Sequence, residues 1–155
     1  MRIRSVAADA RRKAFEIVAG GKTYQLPYAR CKPRPSAAHP VTAVFVDREL
    51  ANEAFTYRLT GGGEGSIHVE QVLDYNKEPS YLRDLLLYQL TIAAQKRIAA
   101  SSLSKREIIR RLGTSPAQLY RLLDQTNYAK SVDQLLRLLA VLDCDVKLVV
   151  RAKTA

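Results

Sequence analysis

The stretch Leu103–Asn127, LSKREIIRRLGTSPAQLYRLLDQTN, decides the fold of the chain around it. Ser104 is followed three residues later by Glu107, and this capping-box pattern predicts the start of a helix. Gly113 then stands where a helix ends with a positive φ angle, which glycine adopts at little cost. These residues predict a helix of about two turns between a serine cap and a glycine turn.

A second short helix is predicted directly after the glycine. Ser115 is suited to cap it, Pro116 to occupy its first position, and Gln118 stands three residues after the cap. Each helix has an apolar face, made by Ile108, Ile109 and Leu112 in the first and by Leu119, Leu122 and Leu123 in the second. Two short helices joined by a tight glycine turn are the helix-turn-helix arrangement.

The positive charge of the chain is concentrated around these helices. The formal net charge is +10, of which residues 1–80 contribute +3 (12 minus 9) and residues 81–155 contribute +7 (13 minus 6). Within residues 96–130, Glu107 and Asp124 oppose eight basic residues: Lys96, Arg97, Lys105, Arg106, Arg110, Arg111, Arg121 and Lys130. A charge cluster alone is also typical of a solvated face, but its coincidence with the two helices favours a nucleic-acid partner.

The second half of the chain is predicted to be mainly helical. No Gly or Pro interrupts the leucine-rich segment from Tyr81 to Ala99. Ser131, with Gln134 three residues later, predicts another capped helix. The run Val146–Val150, VKLVV, predicts a terminal strand, which must pair with the N-terminal sheet or with the same strand of a second subunit.

The first half is predicted to be a small antiparallel β domain. Alternating or β-branched runs predict strands over residues 3–6, 13–19, 22–26, 41–47, 54–60 and 66–75. Gly20-Gly21 predicts a tight hairpin turn, and the proline-containing segment 27–40 an irregular loop. The predicted class is therefore α+β, with a β domain over residues 1–78 and a helix-turn-helix domain with a terminal strand over residues 79–155.

The segments LSKREIIRRLGTSPAQLYRLLDQ and SVDQLLRLLAVLDCDVKLVV resemble the lambda-repressor-like, or Xre-type, helix-turn-helix domain. The second segment is similar to the fourth helix and trailing strand of HigA-type antitoxins and their regulator relatives. The resemblance implies an all-helical DNA-binding domain followed by a C-terminal strand. One departure is Ile109, where the family usually has a small residue. The N-terminal half weakly resembles small β domains of unknown function that are fused to such modules in bacteria.

The helix over residues 116–124 is predicted to enter the major groove, where base edges present distinguishable hydrogen-bonding patterns. Gln118 is suited to paired hydrogen bonds with adenine, and Arg121 to paired bonds with guanine. Ala117 is small enough for a close approach or for contact with a thymine methyl. The full set of predicted DNA-binding residues is Lys105, Thr114, Ser115, Ala117, Gln118, Tyr120, Arg121, Tyr128 and Lys130.

Several members of this set are predicted to bind phosphate. Thr114 and Ser115 place hydroxyls at a helix N-terminus, where anions are favoured. Tyr128 and Lys130 follow the reading helix in a loop, and the family resemblance implies that Lys105 lies near the DNA backbone.

Each predicted base contact also has a purely structural interpretation. Arg121 is also found as a solvated helical arginine, and Gln118 as one half of a capping box. Tyr120 is also suited to packing against a neighbouring helix, and Ser115 is a cap before it is a ligand.

The sequence gives little support for an enzyme. His39 and His68 have no metal-ligand partner at a recognised spacing. The segment GGGEG at residues 61–65 lacks the GK[ST] ending of a phosphate-binding loop, and no GxSxG motif is present. We therefore expect no catalytic residue, no cofactor and no metal ion.

The predicted function is that of a transcriptional repressor that binds double-stranded DNA as a homodimer, because one short helix makes few contacts. The alternative is an antitoxin whose N-terminal domain, or segment 27–40, binds a toxin protein while the helix-turn-helix autoregulates the operon. RNA is a weaker alternative, because the strands offer no aromatic stacking platform. Cys31 and Cys144 lack metal spacing, and no apolar run reaches about 18 residues, so we expect a cytoplasmic protein with neither signal peptide nor membrane span.

Overall fold

The structure is a computed structural model of the chain and describes residues 1–152. The predicted α+β class is confirmed, since these residues contain two three-stranded antiparallel sheets and five α-helices. The chain divides into two compact units, of which the first ends at Leu82 and the second begins at Arg83.

The first unit contains both sheets. The first sheet has the order β1 (Ile3–Asp9), β2 (Ala14–Ala19) and β3 (Lys22–Pro27), and the second has the order β4 (Val41–Asp47), β5 (Ala54–Leu59) and β6 (Glu64–His68). The β2–β3 hairpin turns at Gly20 and Gly21, whose φ angles of 57° and 76° favour glycine. The turn predicted at these two glycines is therefore present.

An aromatic cluster fills the core between the two sheets. The ring centroid of Phe15, on β2, lies 5.1 Å from that of Phe55 and 5.0 Å from that of Tyr57, both on β5. Tyr28, in a short 3-10 helix, contacts the same phenylalanine edge-on at 4.9 Å. Phe15, Phe55 and Tyr57 are fully buried. These aromatic rings belong to a buried cluster that also contains aliphatic side chains from both sheets and from the helix that follows them.

The strand predicted over residues 66–75 is wrong in its second part. β6 ends at His68, and the helix α1 spans Val69–Tyr75. Val69, Val72 and Leu73 are buried at helical spacing. The His68 ring accepts a hydrogen bond from the Glu70 amide at 3.3 Å and so caps this helix. A histidine is an unusual helix cap and gives a weak start signal. The alternation of apolar and polar residues continues to Val69, so it hides the change from strand periodicity to helical periodicity.

The second unit contains most of α2 (Pro79–Ala100), which begins before the boundary. It also contains α3 (Lys105–Leu112), α4 (Pro116–Leu123) and α5 (Val132–Val141). Their buried faces supply its apolar core, formed by Leu87, Ala94, Ile108, Leu119, Leu122, Leu135, Leu138 and Leu139. None of the helices within residues 1–152 has the length and apolarity needed to cross a membrane.

The predicted terminal strand is not formed. Residues 144–152 have no regular secondary structure, and the side chains of Leu148 and Val150 are 83% and 86% exposed. A strand requires a hydrogen-bonding neighbour, and both sheets of the described chain consist entirely of strands from the first unit. The local pattern of VKLVV favours a strand but cannot supply its partner.

Candidate nucleic-acid interface

The turn between α3 and α4 is set by a serine cap and a left-handed glycine. The Ser104 hydroxyl accepts a hydrogen bond from the Glu107 amide at 3.1 Å, which starts α3. Gly113 ends it with φ 67° and ψ 38°. The Thr114 amide then donates to the Ile109 carbonyl at 3.2 Å, which closes the helix end and turns the chain sharply.

One face of α4 is anchored and the other is exposed. The Ser115 hydroxyl accepts from the Gln118 amide at 3.2 Å, and Pro116 occupies the first helical position. Leu119 and Leu122 are buried in the core. Pro116 is exposed at the start of the helix. At 3.6 residues per turn, the exposed residues that follow it fall within an arc of about 160°; they are Ala117, Gln118, Tyr120 and Arg121.

The side chains of Gln118 and Arg121 form no hydrogen bond or ion pair with any residue of the described range 1–152. Both lie on a helix whose backbone is capped at its start and whose apolar face is buried. Their amide and guanidinium groups are therefore available to a ligand. The predicted capping role of Gln118 is fulfilled by its backbone amide and not by its side chain.

Three polar side chains hold the C-terminal end of α4. The Gln95 amide donates to the Leu123 carbonyl at 2.7 Å, and the Asn127 amide donates to the Arg121 carbonyl at 3.1 Å. The Lys130 ammonium group donates to two further carbonyls, those of Leu122 at 2.9 Å and Asp124 at 2.7 Å. The last carbonyls of a helix have no partner within it, so these contacts fix both the length and the orientation of α4.

Lys130 is therefore placed differently from the exposed phosphate contact predicted from the sequence. Its residue is only 5% exposed, and burial lowers the pKa of its ammonium group. Because this group is committed to backbone carbonyls, we leave Lys130 out of the candidate surface and assign it to the positioning of α4. A lysine in a polar loop gives no local signal that it will fold back onto a preceding helix.

A groove of about 600 Å³ runs along α4 and reaches α5. Gln118 and Arg121 line it from α4, and Gln134 and Arg137 line it from α5. Gln134 is occupied as a cap, since its side-chain oxygen accepts from the Ser131 amide at 3.0 Å. Arg137 is exposed and, among the described residues, pairs only with Asp133, also exposed, at 3.3 Å. Sequence reasoning missed Arg137, although its place one turn after Gln134 on a capped helix was visible.

The remaining predicted residues take up varied positions. Tyr120 is 59% exposed, and the Lys105 ammonium group lies 5.5 Å from the centre of its ring, a cation–π contact between α4 and α3. Tyr128 is partly exposed, and its carbonyl accepts from Arg83 at 3.0 Å. Thr114 is half-buried and Ser115 is exposed at the start of α4. The structure thus brings all of them except Lys130 to the surface of the second unit.

Glu107 is the acidic residue of α3, and two arginines neutralise it. Its carboxylate accepts hydrogen bonds from Arg110 and from Arg111, the latter at 2.9 Å. These bonds lower the pKa of Glu107 to about 2. Since one carboxylate faces two guanidinium groups, the surface of α3 keeps an excess of positive charge.

Comparison with protein families, with curated protein sequences and with solved structures found no match to this chain. Within residues 1–152, no group of three or more His, Cys, Asp or Glu side chains is placed to hold a metal ion. The functional interpretation therefore depends on the geometry and charge of the second unit.

Proposed function

We propose that the second unit is a helix-turn-helix module of the lambda-repressor-like type, and that it binds double-stranded DNA with α4 in the major groove. The protein would act as a transcriptional repressor by occupying a promoter. The observation that carries this proposal is the exposed face of α4, where Gln118 and Arg121 have no partner in the described chain.

The chemistry of that face suits base edges. The major groove, about 12 Å wide, admits an α-helix. Arg121 can donate two hydrogen bonds to guanine, and Gln118 can both donate to and accept from adenine. Ala117, on the same face, is small enough to let the helix approach. The buried Leu119 and Leu122 hold this face outward.

Basic side chains flank the exposed face of α4 on both sides. Lys105 contacts Tyr120 from α3, and Arg137 lies across the groove on α5. Such positions suit phosphate contacts, which orient a protein on DNA and make its affinity depend on salt. The acidic residues nearest to them in sequence, Glu107 and Asp133, are already paired with arginines.

One copy of α4 is a short reading element. Its exposed face carries four residues, which is few for a specific site. A two-fold dimer places two such helices in successive major grooves about 34 Å apart. We therefore propose that the DNA-binding form is a homodimer on a palindromic site.

The experiment that tests this proposal is selection of binding sites from randomised DNA duplexes, followed by fluorescence-anisotropy titration at several salt concentrations. We expect a palindromic consensus and an affinity for it at least about 1,000-fold higher than for a scrambled duplex, with a steep salt slope. An RNA duplex of the same sequence is the control, because the deep, narrow groove of A-form RNA excludes a helix. Weak and equal binding to all three duplexes would contradict the proposal.

A further inference from the structure

The chain beyond α5 presents an apolar segment with an unpaired backbone. Val146, Leu148, Val149 and Val150 are 49%, 83%, 74% and 86% exposed. The last backbone hydrogen bond in this part of the described chain is donated by the Cys144 amide to the Leu139 carbonyl, at 3.0 Å. Four exposed apolar side chains on an unpaired backbone form a template for strand pairing.

We propose that residues 145–151 pair with the same residues of a second copy of this chain, as a two-stranded antiparallel ribbon centred on Leu148. The pairing supplies the dimer contact that the proposed DNA-binding function requires, and in that respect it rests on the proposed function. Its geometry is argued from the segment alone.

The charges of the segment select this register. In a two-fold antiparallel pair, a central residue faces its own copy, and residues equally distant from the centre face each other. With Leu148 at the centre, Asp145 faces Arg151 at both ends of the ribbon, and Val146 faces Val150. Neither Asp145 nor Arg151 has an ion-pair partner within residues 1–152, so both charges are available.

The neighbouring registers are less favourable. A centre at Lys147 would place two ammonium groups opposite each other, and a centre at Val149 would place Lys147 opposite Arg151. Like charges at facing positions destabilise a strand pair. A centre at Val146 would place Asp145 opposite Lys147, but it would also place Val149 opposite Asp143, whose φ of 58° is not that of a strand and limits the length of the pairing.

The ribbon also gathers apolar side chains on one face. Val146, Leu148 and Val150 alternate to the same side of a strand, so two copies bring six such side chains together. Val146 borders a groove of about 610 Å³ that is also lined by Leu90 and Leu142. One residue of the apolar face of the ribbon therefore borders apolar residues of the second unit.

The first test is the oligomeric state without DNA, measured by sedimentation equilibrium. We expect a dimer for the wild-type chain and a monomer for Leu148→Asp at the same concentration. Leu50→Asp is the matched control, because Leu50 is also exposed, at 49%, and lies in the first unit. A monomeric wild-type chain, or a dimer that persists in Leu148→Asp, would overturn the pairing.

The second test is an exchange of charges. Arg151→Asp should raise the dimer Kd about tenfold, because two attractive pairs become repulsive. The double variant Asp145→Arg/Arg151→Asp restores opposite charges and should return the Kd to the wild-type range. Failure of the double variant to recover would overturn the proposed register.

The third test fixes the centre of the ribbon by cross-linking. In a Cys144→Ser background, mild oxidation should join two chains of the Leu148→Cys variant, because this residue faces its own copy across the pair. Lys147→Cys should remain uncross-linked, and the reverse result would overturn the register.

A dimer of this kind that binds no DNA would contradict the proposed function only. DNA binding by a dimer that tolerates Leu148→Asp would contradict this pairing only.

Discussion

The two units of the chain use their polar side chains differently. In the first unit a buried carboxylate is satisfied by neighbouring side chains: Glu78 accepts hydrogen bonds from Lys22 at 2.9 Å and from Tyr24 at 3.1 Å. In the second unit, polar side chains hold the ends of α4, and Gln118 and Arg121 are left without a partner in the described chain. Polar groups that a fold does not use internally are the ones available for recognition.

The largest expected effect is the loss of the aromatic core of the first unit. Phe15→Ala should lower the free energy of unfolding of that unit by about 3–5 kcal/mol, because Phe15 is fully buried among three aromatic rings. Hydrogen exchange measured by mass spectrometry reports on each unit separately. Faster exchange confined to the first unit is the expected result.

The control for that variant is Phe45→Ala, since Phe45 is 41% exposed and contacts Arg58 at 5.4 Å. We expect it to cost less than about 1 kcal/mol. Equal effects of the two substitutions would contradict the placement of the core between the sheets.

The next effect concerns the support of α4. Lys130→Met should lower the free energy of unfolding of the second unit by about 1–3 kcal/mol, because it leaves the Leu122 and Asp124 carbonyls without their donor. Urea denaturation followed by circular dichroism measures the change. Lys96→Met removes the same charge from an exposed position and should be close to neutral. A neutral Lys130→Met would mean that the ammonium group is not a cap.

A loss of comparable size is expected in the free energy of DNA binding when a base-contacting residue is removed. Arg121→Ala should weaken binding to the selected site by about 1–3 kcal/mol and relax its preference at one base pair. Lys105→Ala should weaken binding to all duplexes alike and reduce the salt slope by about one. Anisotropy titrations with single-base variants of the site separate the two results. A uniform loss in Arg121→Ala would argue against its contact with a base.

The smallest effect is a dependence on pH. The arginine hydrogen bonds lower the pKa of Glu107 from its usual 4.5 to about 2 in the folded chain. Such a carboxylate stabilises the fold above pH 4.5, and this contribution is lost as the pH falls towards 2. Thermal unfolding of the wild-type second unit should therefore shift to lower temperature across this window, and that of Glu107→Gln should shift less. Parallel curves would contradict the role of these contacts.

The sequence predicted the elements whose signals are local. The caps at Ser104 and Ser115, the left-handed Gly113 and the capped α5 were all visible as short patterns, and each is present in the structure. Short-range hydrogen bonds between side chain and backbone set these features, so a few neighbouring residues suffice to predict them.

Two of the predictions that differed depended on partners outside the local pattern. Val146–Val150 has the composition of a strand but no pairing neighbour in the described chain, and the buried Lys130 donates to carbonyls that lie six and eight residues before it. Arg137 belongs to the candidate surface because α5 borders the same groove as α4. The predicted DNA-binding role of the remaining residues stays a prediction, since it concerns a partner.

The most direct test of the DNA-binding proposal is a titration of the isotope-labelled protein with the selected duplex. Nuclear magnetic resonance then records the chemical shift of each backbone amide. We expect the largest shifts at residues 114–121 and smaller shifts at Lys105 and Arg137, while residues 41–64 of the first unit are nearly unchanged. Shifts that cluster in the first unit, or no shifts at all, would contradict the assignment of DNA binding to the exposed face of α4.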